Sequence, residues 1–406
     1  MFEHISLAWR NIWRNKRRTL ITTASIFFGV VLSAFMTSMQ EGSYEQYIKT
    51  VVNFYSGYIQ IHKAGYWDDK VINNTLVYTP EVERTIRQTS GVTMLTPRLE
   101  NFALASSEEI TKGVLVLGID PQKEDSITRI SKKIIYGNYL RPNDNGVVIG
   151  SGLAGFMKLN VGDTLVLIGQ GFHGSSAAGK YPVRGIVKQP SPELDRTVVY
   201  MLVAQCQELF SASGRLTSVV IMVTDKDAVP PVFQSLKKSL GKDFEVMDWQ
   251  EMNRILLKQI ESDRAQGVIT KGILYVIIGF GILGTIMMMV AERKKEMGVL
   301  VAIGMQKSKL ASVLVFETIF IGMVGVIAGI VASIPVIWYF MFHPILMTGQ
   351  AGEMMLEMGF DPYLSFSIMP SVFYNQALTV FIFTLIIGLY PVFIISRLKI
   401  IKALRN

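Results

Sequence analysis

The run ILYVIIGFGILGTIMMMV, AERKKEMGVLVAIGMQKSK, LASVLVFETIF, residues 273–320, decides the fold. Its first part is apolar, its middle carries Arg293, Lys294, Lys295, Lys307 and Lys309, and its last part is apolar again. A helix needs about 20 mostly apolar residues to cross the hydrocarbon of a bilayer. The run is therefore a membrane hairpin turned around a basic connector. The same test applied outward gives four spans, at 19–39, 273–290, 310–340 and 377–395. From Leu310 to Ser396 there is no lysine or arginine. A purely soluble chain of two or three domains, the first expectation for 406 residues, is excluded. The first span reads as a retained anchor, because its apolar run is too long for a signal peptide and Ser33-Ala34-Phe35 is a poor cleavage site.

Orientation follows from the cations, which collect on cytoplasmic flanks. Arg10, Arg14, Lys16, Arg17 and Arg18 precede the first span, and Arg397, Lys399, Lys402 and Arg405 follow the last. With the connector cations, and against Glu3, Glu292 and Glu296, these flanks are net +11. The insert 40–271 is balanced, with 26 Lys+Arg and 25 Asp+Glu. Both termini and the connector are thus assigned to the cytoplasm and the insert to the outside. The formal charge of +8 sits at membrane boundaries, which argues against nucleic acid as a partner. Phe2, Ile5, Trp9, Ile12 and Trp13 share one helical stripe. They fit a short amphipathic helix in the cytoplasmic headgroup layer, or a straight extension of the first span.

The insert alternates in short runs, Tyr58-Ile59-Gln60-Ile61 and Thr164-Leu165-Val166-Leu167, with a turn at Pro142-Asn143-Asp144-Asn145-Gly146. Helices are predicted at 80–89 and 228–240. This is an α+β domain large enough to bury its own core. At its end, Asp248 with Glu251 forms a capping box, stapled by Met247 and Met252. No proline follows until Pro335, so one helix is predicted over 248–290, about 64 Å long at 1.5 Å per residue. The first span likewise continues over 41–53 until Gly57. Two stiff stalks would join the outer domain to the membrane. The resulting division is 1–18 amphipathic helix, 19–53 first span and stalk, 54–247 outer domain, 248–290 second stalk and span, 291–309 connector, 310–340 third span, 341–374 outer loop, 375–396 fourth span and 397–406 tail.

Several motifs invite a catalytic reading. Gly169-Gln170-Gly171-Phe172-His173-Gly174 fits a dinucleotide fingerprint with Asp195 downstream, and Gly174 to Tyr181 nearly fits a phosphate loop. Tyr181 replaces the Mg²⁺-binding hydroxyl, and 182–187 reads as a strand where a helix is needed, so a hairpin tip is expected and no ATPase. His4, His62, His173 and His343 are scattered without a metal-ligand spacing, and Cys206 has no base beside it. Cys206 reads as a buried apolar residue; a single thiol makes no disulfide framework. Met347, Met354, Met355 and Met358 with His343 could hold a soft metal, or else form an apolar loop touching lipid or an apolar substrate. The second reading is preferred, with no metal. Glu317 stands within a span and is a functional candidate by default. It lies only about two turns beyond Lys309, so snorkelling or a hydrogen bond within a dimer stands beside that reading. Gly322, Gly325 and Gly329, with Ser333, offer a small-residue face for close helix packing, within one chain or across two.

The connector reads Glu292-Arg293-Lys294-Lys295-Glu296-Met297-Gly298-Val299-Leu300-Val301-Ala302-Ile303-Gly304. Physically it is a short helix with two acids one turn apart and Gly304 placed to end it. It resembles the E-R-x-x-E-x-G-x-L-x-A-x-G signature of the MacB/FtsX-like permeases, which include the lipoprotein-releasing LolC/LolE type. The C-terminal run from Gly388-Leu389-Tyr390-Pro391 to Ala403-Leu404-Arg405 resembles that family's ending. Phe316-Glu317 followed by glycines is similar to its third span. Gly118-Ile119-Asp120-Pro121, Gly137 to Leu140, Val148 to Ala154 and Leu159 to Asp163 resemble its outer core.

The resemblance implies four transmembrane helices with a large extracytoplasmic α+β domain inserted between helices 1 and 2. It implies a permease subunit in a bacterial inner membrane, not itself an enzyme and binding no cofactor. ATP and Mg²⁺ would sit on a separate cytoplasmic ABC ATPase present in two copies, beside a second permease copy or paralogue. Glu292, Arg293, Glu296, Gly298, Leu300, Ala302 and Gly304 would seat in a groove on that ATPase. ATP-driven closure would tilt the stalks and reshape the outer domains, a mechanotransmission that needs no pore. The cation-free outer loop with Met354, Met355 and Met358 suits a lipoprotein or other hydrophobic substrate taken from membrane lipid. Peptide or small-molecule efflux of the MacB kind, and FtsX-like signalling to a cell-wall hydrolase, are the alternatives. The large insert argues against the signalling reading.

Overall fold

The computed structural model describes residues 9–10, 12–14, 16–107, 110–357 and 362–396. The chain divides into two compact units, one drawn from residues up to 46, 259–345 and 363 onward, the other from 47–258 and 346–362. The tail 397–406 and most of the stripe before Trp9 lie outside the described residues; Trp9, Arg10 and 12–14 are helical.

Among the described residues four helices are long and apolar enough to cross a membrane. Helix α1, Lys16–Val51, and helix α2, Arg254–Glu292, have 36 and 39 residues. At 1.5 Å per residue they are about 54 and 58 Å long, nearly twice the hydrocarbon thickness. A short helix α3, Lys294–Ala302, separates α2 from α4, Lys307–Phe342, and α5, Pro370–Gly388, follows. The single helix predicted over 248–290 is corrected. Asp248 does cap a turn, accepting from the Glu251 N–H at 2.8 Å, but that turn ends at Met252. Asn253 leaves the helical region (φ −112°, ψ 40°) while its side-chain amide donates to the Trp249 carbonyl, and α2 begins afresh at Arg254. The backbone bonds from the Asn253 N–H to the Trp249 carbonyl (3.1 Å) and from the Leu257 N–H to the Asn253 carbonyl (3.0 Å) persist, so the interruption is a one-residue kink in which the asparagine side chain shares the Trp249 carbonyl.

Within this unit the glycines set the helix spacing. A Cβ at Gly325 would stand 2.7 Å from Ile26, and one at Gly329 2.7 Å from Val30, both on α1. At Gly322 it would meet Thr384 of α5 at 3.0 Å. The small face therefore serves contacts inside this chain, with backbones approaching where no side chain intervenes. Outward along α1 and α2 the contacts become polar. Arg264 holds Glu41 at 2.7 Å, the Gln40 amide donates to the Asp263 carbonyl at 3.0 Å, and Lys271 reaches Thr37 at 3.4 Å. The two long helices are thus zipped together beyond their apolar portions.

The other unit is α+β. Its ten-stranded sheet comprises β1 Ile59–Lys63, β2 Val92–Ser107, β3 Ile110–Ile119, β4 Ile134–Gly137, β5 Val147–Gly150, β6 Thr164–Gln170, β7 Ser176–Val187, β8 Val198–Leu202, β9 Ser218–Val223 and β10 Phe244–Asp248. The 16-residue β2 belongs to two layers at once. Its first half closes an antiparallel sheet in the order β10-β1-β9-β2. Its second half closes a ring in which β2, β3, β8, β5, β7 and β6 pair in turn and β6 returns to β2.

Because side chains alternate along a strand, each layer face has one chemistry. On one face Ile59, Ile61, Leu95, Leu99, Val219 and Ile221 form a core with Ile86 of the helix Pro80–Gln88 and Val232 and Leu236 of the helix Val229–Leu240. On the other lie Gln60, His62, Thr96, Arg98 and Ser218, all buried as well. In a two-layer sheet such alternation would leave the polar face in water. Instead, the π-helical turn Val52–Ser56 at the end of α1 and the helix Pro121–Thr128 pack over the polar face. Arg98, 1% exposed, forks onto Glu124 at 2.6 and 3.0 Å and donates its third nitrogen to the Tyr55 carbonyl. Gln60 donates to the Ser56 carbonyl at 2.8 Å. Gly57 ends the turn at φ +63°, where any Cβ would collide with Val220. The root of α1 is therefore held by a buried ion pair and an amide, satisfied within the domain.

Candidate coupling site

The connector between α2 and α4 is ordered by two ion pairs of different quality. Arg293 interrupts the helical path between α2 and α3 with φ −91° and ψ 4°, while its N–H still bonds the Met289 carbonyl. Its guanidinium turns toward α4 and grips Glu317 at 2.9 and 3.2 Å. The side chains are 12% and 4% exposed, so this pair is largely out of water. Glu317 is thus paired with the connector through Arg293. Removing one partner of a buried ion pair typically costs roughly 3–5 kcal/mol. Arg14 meets Glu296 of α3 at 2.7 Å, but both side chains are more than half exposed. A pair in water adds only about 0–1 kcal/mol, so it orients the segment more than it stabilises it.

Apolar contacts complete the placement. Met297 and Gly298 are buried, and Met297 joins Ile12, Met289, Val290, Leu310, Leu314 and Ile321 in one cluster. Trp9 packs edge-on against Phe320 of α4 at 5.7 Å. The opposite side of the segment is apolar yet uncovered: Val299, Leu300 and Ile303 are 41%, 40% and 79% exposed. Ala302 is the last helical residue and Gly304 turns the chain at φ +107°, its N–H returning to the Val301 carbonyl. A Cβ there would meet nothing within 4 Å, so it is the left-handed φ, disfavoured for L side chains, that makes glycine the residue to end the helix.

The remaining candidates lie elsewhere. Gln350–Glu357 forms a short helix on which Met354 is 54% exposed, and Met358 lies outside the described residues. His343 stacks on Tyr339 at 4.6 Å and is bonded to that residue's carbonyl. Among the described residues there is no group of three or more His, Cys, Asp or Glu placed for a metal. The glycine-rich run is the tip of the β6–β7 hairpin, and Gly179-Lys180-Tyr181 lies inside β7, so no helix N-terminus follows it to receive phosphate. Asp195, the fingerprint's acid, is buried and accepts from the N–H groups of Ser151, Gly152 and Gln189 and from Lys188. Cys206 is sealed in the core with its thiol against the Leu99 carbonyl, and burial pushes that thiol's pKa well up. The Arg293–Glu317 pair was missed by sequence reasoning, although an acid in a span opposite a motif arginine was the available signal.

The arrangement, a helical connector between two long apolar helices with a β-rich insert earlier in the chain, has known counterparts. The profile of the FtsX-like permease C-terminal region matches residues 269–400, and that of the MacB-like periplasmic core domain matches residues 19–239. The chain is 22% identical over 251 residues to the lipoprotein-releasing system transmembrane protein LolC of Xylella fastidiosa, a match spanning 60% of each chain. It is 24% identical over 341 residues to an uncharacterized ABC transporter permease of Methanocaldococcus jannaschii, covering 81% of this chain and 82% of that one. With the macrolide export ATP-binding/permease protein MacB of Agrobacterium fabrum it shares 19% identity over 82% of this chain and 52% of that one. The solved periplasmic region of MacB from Actinobacillus actinomycetemcomitans overlaps 51% of this chain and 95% of its own at 15% identity and a TM-score of 0.37. The outer-core profile alone takes in more than half of the chain, and the C-terminal profile contains the connector and the Arg293–Glu317 pair. On these grounds the chain belongs to the MacB/FtsX-like family of ABC transporter permeases.

Proposed function

We propose that this permease is the mechanotransmitting subunit of an ABC transporter that releases or exports lipoproteins from the outer leaflet of a bacterial inner membrane. The observation that carries the reading is the buried Arg293–Glu317 pair, which fastens the connector to α4. A separate cytoplasmic ATPase, in two copies with ATP and Mg²⁺, would receive the uncovered Val299, Leu300 and Ile303 with Glu292 and Glu296 at the rim. Load on the connector then passes into α4 through the pair, and α1 and α2 carry it outward as rigid rods. A second permease, identical or paralogous, completes the complex, and both termini face the cytoplasm. The apolar residues on the loop helix, Met354 foremost, are where a lipid-bearing substrate would be met. Efflux of peptides or small molecules is the second reading, favoured by the outer-core match over 19–239.

The test is affinity purification of the tagged chain in mild detergent, with mass spectrometry of what is retained. An ATPase with acylated lipoproteins supports the proposal, an ATPase without them supports efflux, and a wall hydrolase in their place moves the assignment to signalling. Glu292→Lys with Glu296→Lys is expected to abolish ATPase retention while membrane insertion persists. Stoichiometric ATPase on that variant would sink the coupling assignment.

A further inference from the structure

A cavity of about 480 Å³ opens in the outer domain where the root of α1 meets the strand ring. Its walls are mostly apolar: Val51 at the end of α1, Tyr55 of the π-helical turn, Phe102 of β2, Leu115 of β3, and Pro190 and Leu194 beyond β7. At ~30 Å³ per water it holds the bulk of roughly sixteen waters. Clefts of that size and lining are where proteins take small molecules.

One wall is bare because it is glycine. Gly113 stands inside β3, paired with Leu104 of β2 in an unbroken antiparallel register, so it marks no bulge. Its φ lies outside the left-handed region, and a Cβ added there would meet nothing within 4 Å. Neither backbone geometry nor packing asks for glycine at this place, although glycine weakens a strand. A glycine that no neighbour crowds, in a regular strand, fits the close approach of a molecule the chain does not itself supply.

The charges set the class of that molecule. Glu193, exposed, is the only charged residue among the described walls, and no cation pairs with it among the described residues. Lys49, Lys112, Lys188 and Arg196 adjoin lining segments in sequence without lining the cavity themselves. Lys188 holds Asp195 at 2.9 Å, Lys112 lies 4.3 Å from the Phe156 ring centroid, and the Arg196 stem lies against Gly152. The Tyr55 hydroxyl is committed to Glu100 at 2.9 Å, so Tyr55 offers its ring, and Phe102 is a bare aromatic face, 70% exposed. A carboxylate repels an anion and attracts a cation, and an aromatic face attracts a cation as well.

We propose that this cavity binds an apolar small molecule carrying one cationic group, its body against Phe102, Leu115 and bare Gly113 and its charge at Glu193. The inference goes beyond the proposed function by giving the outer domain a ligand of its own. Its test uses neither the ATPase nor a lipoprotein, so the two fail separately.

The full chain in phosphatidylcholine nanodiscs, with empty nanodiscs as the blank, is titrated by calorimetry with naphthylethylamine, naphthylethanol and naphthylacetate, which share one apolar body and differ in charge. The amine is expected to bind saturably, about three- to fivefold tighter than the alcohol, as one exposed charge pair allows, and at least tenfold tighter than the acetate. Gly113→Leu, whose side chain fills the open wall, weakens the amine at least tenfold, and Phe102→Ser, at an exposed position, weakens it severalfold. Glu193→Gln brings the amine level with the alcohol and leaves the alcohol unchanged. An unchanged melting temperature shows each variant to be folded. No saturable binding above the blank, or binding indifferent to both Gly113→Leu and Phe102→Ser, overturns the site. Alcohol or acetate binding as tightly as the amine, or a Glu193→Gln protein that still prefers the amine, overturns the cationic ligand.

Discussion

Replacing Arg293 by Met removes the guanidinium that pairs with the Glu317 carboxylate, which is 4% exposed. At the observed 2.9 Å and an effective dielectric of 20, two unit charges attract by about 6 kcal/mol. Much of that offsets desolvation, so the expected loss is the roughly 3–5 kcal/mol typical of a broken buried pair. Glu317→Gln should cost less, roughly 1–3 kcal/mol, because Arg293 keeps Glu296 at 3.5 Å and is nearer the surface. The double variant Arg293→Met with Glu317→Leu removes both charges and should return to within about 1 kcal/mol of the parent. Unfolding free energies from SDS titration of the protein in mixed micelles measure this order directly. If the pair also transmits load, the stable double variant still retains the ATPase but loses ATP-driven substrate release. A cost below about 1 kcal/mol for Arg293→Met would show the pair to be effectively in water and refute the reasoning. A double variant with full transport would leave it a structural pair only.

Gly329→Leu forces a side chain into a site where even a Cβ stands 2.7 Å from Val30, so overpacking should cost about 1–3 kcal/mol and lower the melting temperature in detergent. Cysteines at Gln40 and Gly267, whose neighbourhoods touch across α1 and α2, should cross-link under mild oxidant, and the locked protein should bind its ATPase yet stop transport until reduced. A cross-linked complex that still transports would exclude relative motion of these helices at that level. His62, with its pKa lowered from 6.5 to about 4, takes up protons more readily unfolded than folded. Stability should therefore fall as pH drops from about 6.5 to 4, by about 3 kcal/mol from this group. His62→Gln should flatten that limb of the stability–pH curve, and an unchanged curve would refute the assignment.

The spans and connector were legible because each rests on local rules: hydropathy over some 20 residues, and glycine at a chain reversal. The insert was legible as α+β for the same reason, since alternation and helix caps are properties of neighbours in sequence. Even locally the reading had a limit at Asn253, whose backbone departs from helical geometry and kinks a helix that propensity alone would continue straight. The polar face of the outer layer was not legible. Gln60, His62 and Arg98 alternate as solvent-facing residues do, and only the covering turn at 52–56 and helix at 121–128 bury them.

The sequence by itself determined that this chain crosses a membrane four times, carries a folded insert between its first two spans, and has a basic, glycine-ended connector after the second. Those outcomes depend on composition and on spacings of a few residues. Tertiary structure alone decided that Arg293 finds Glu317 from 24 residues away, that the glycines of α4 face α1 and α5, and that Arg98 and Glu124 hold the root of the first stalk. A charge in a span or a strand states only that it needs a partner in low dielectric. Which partner it gets is fixed by how helices and sheets pack, and that is set by the sum of many distant contacts.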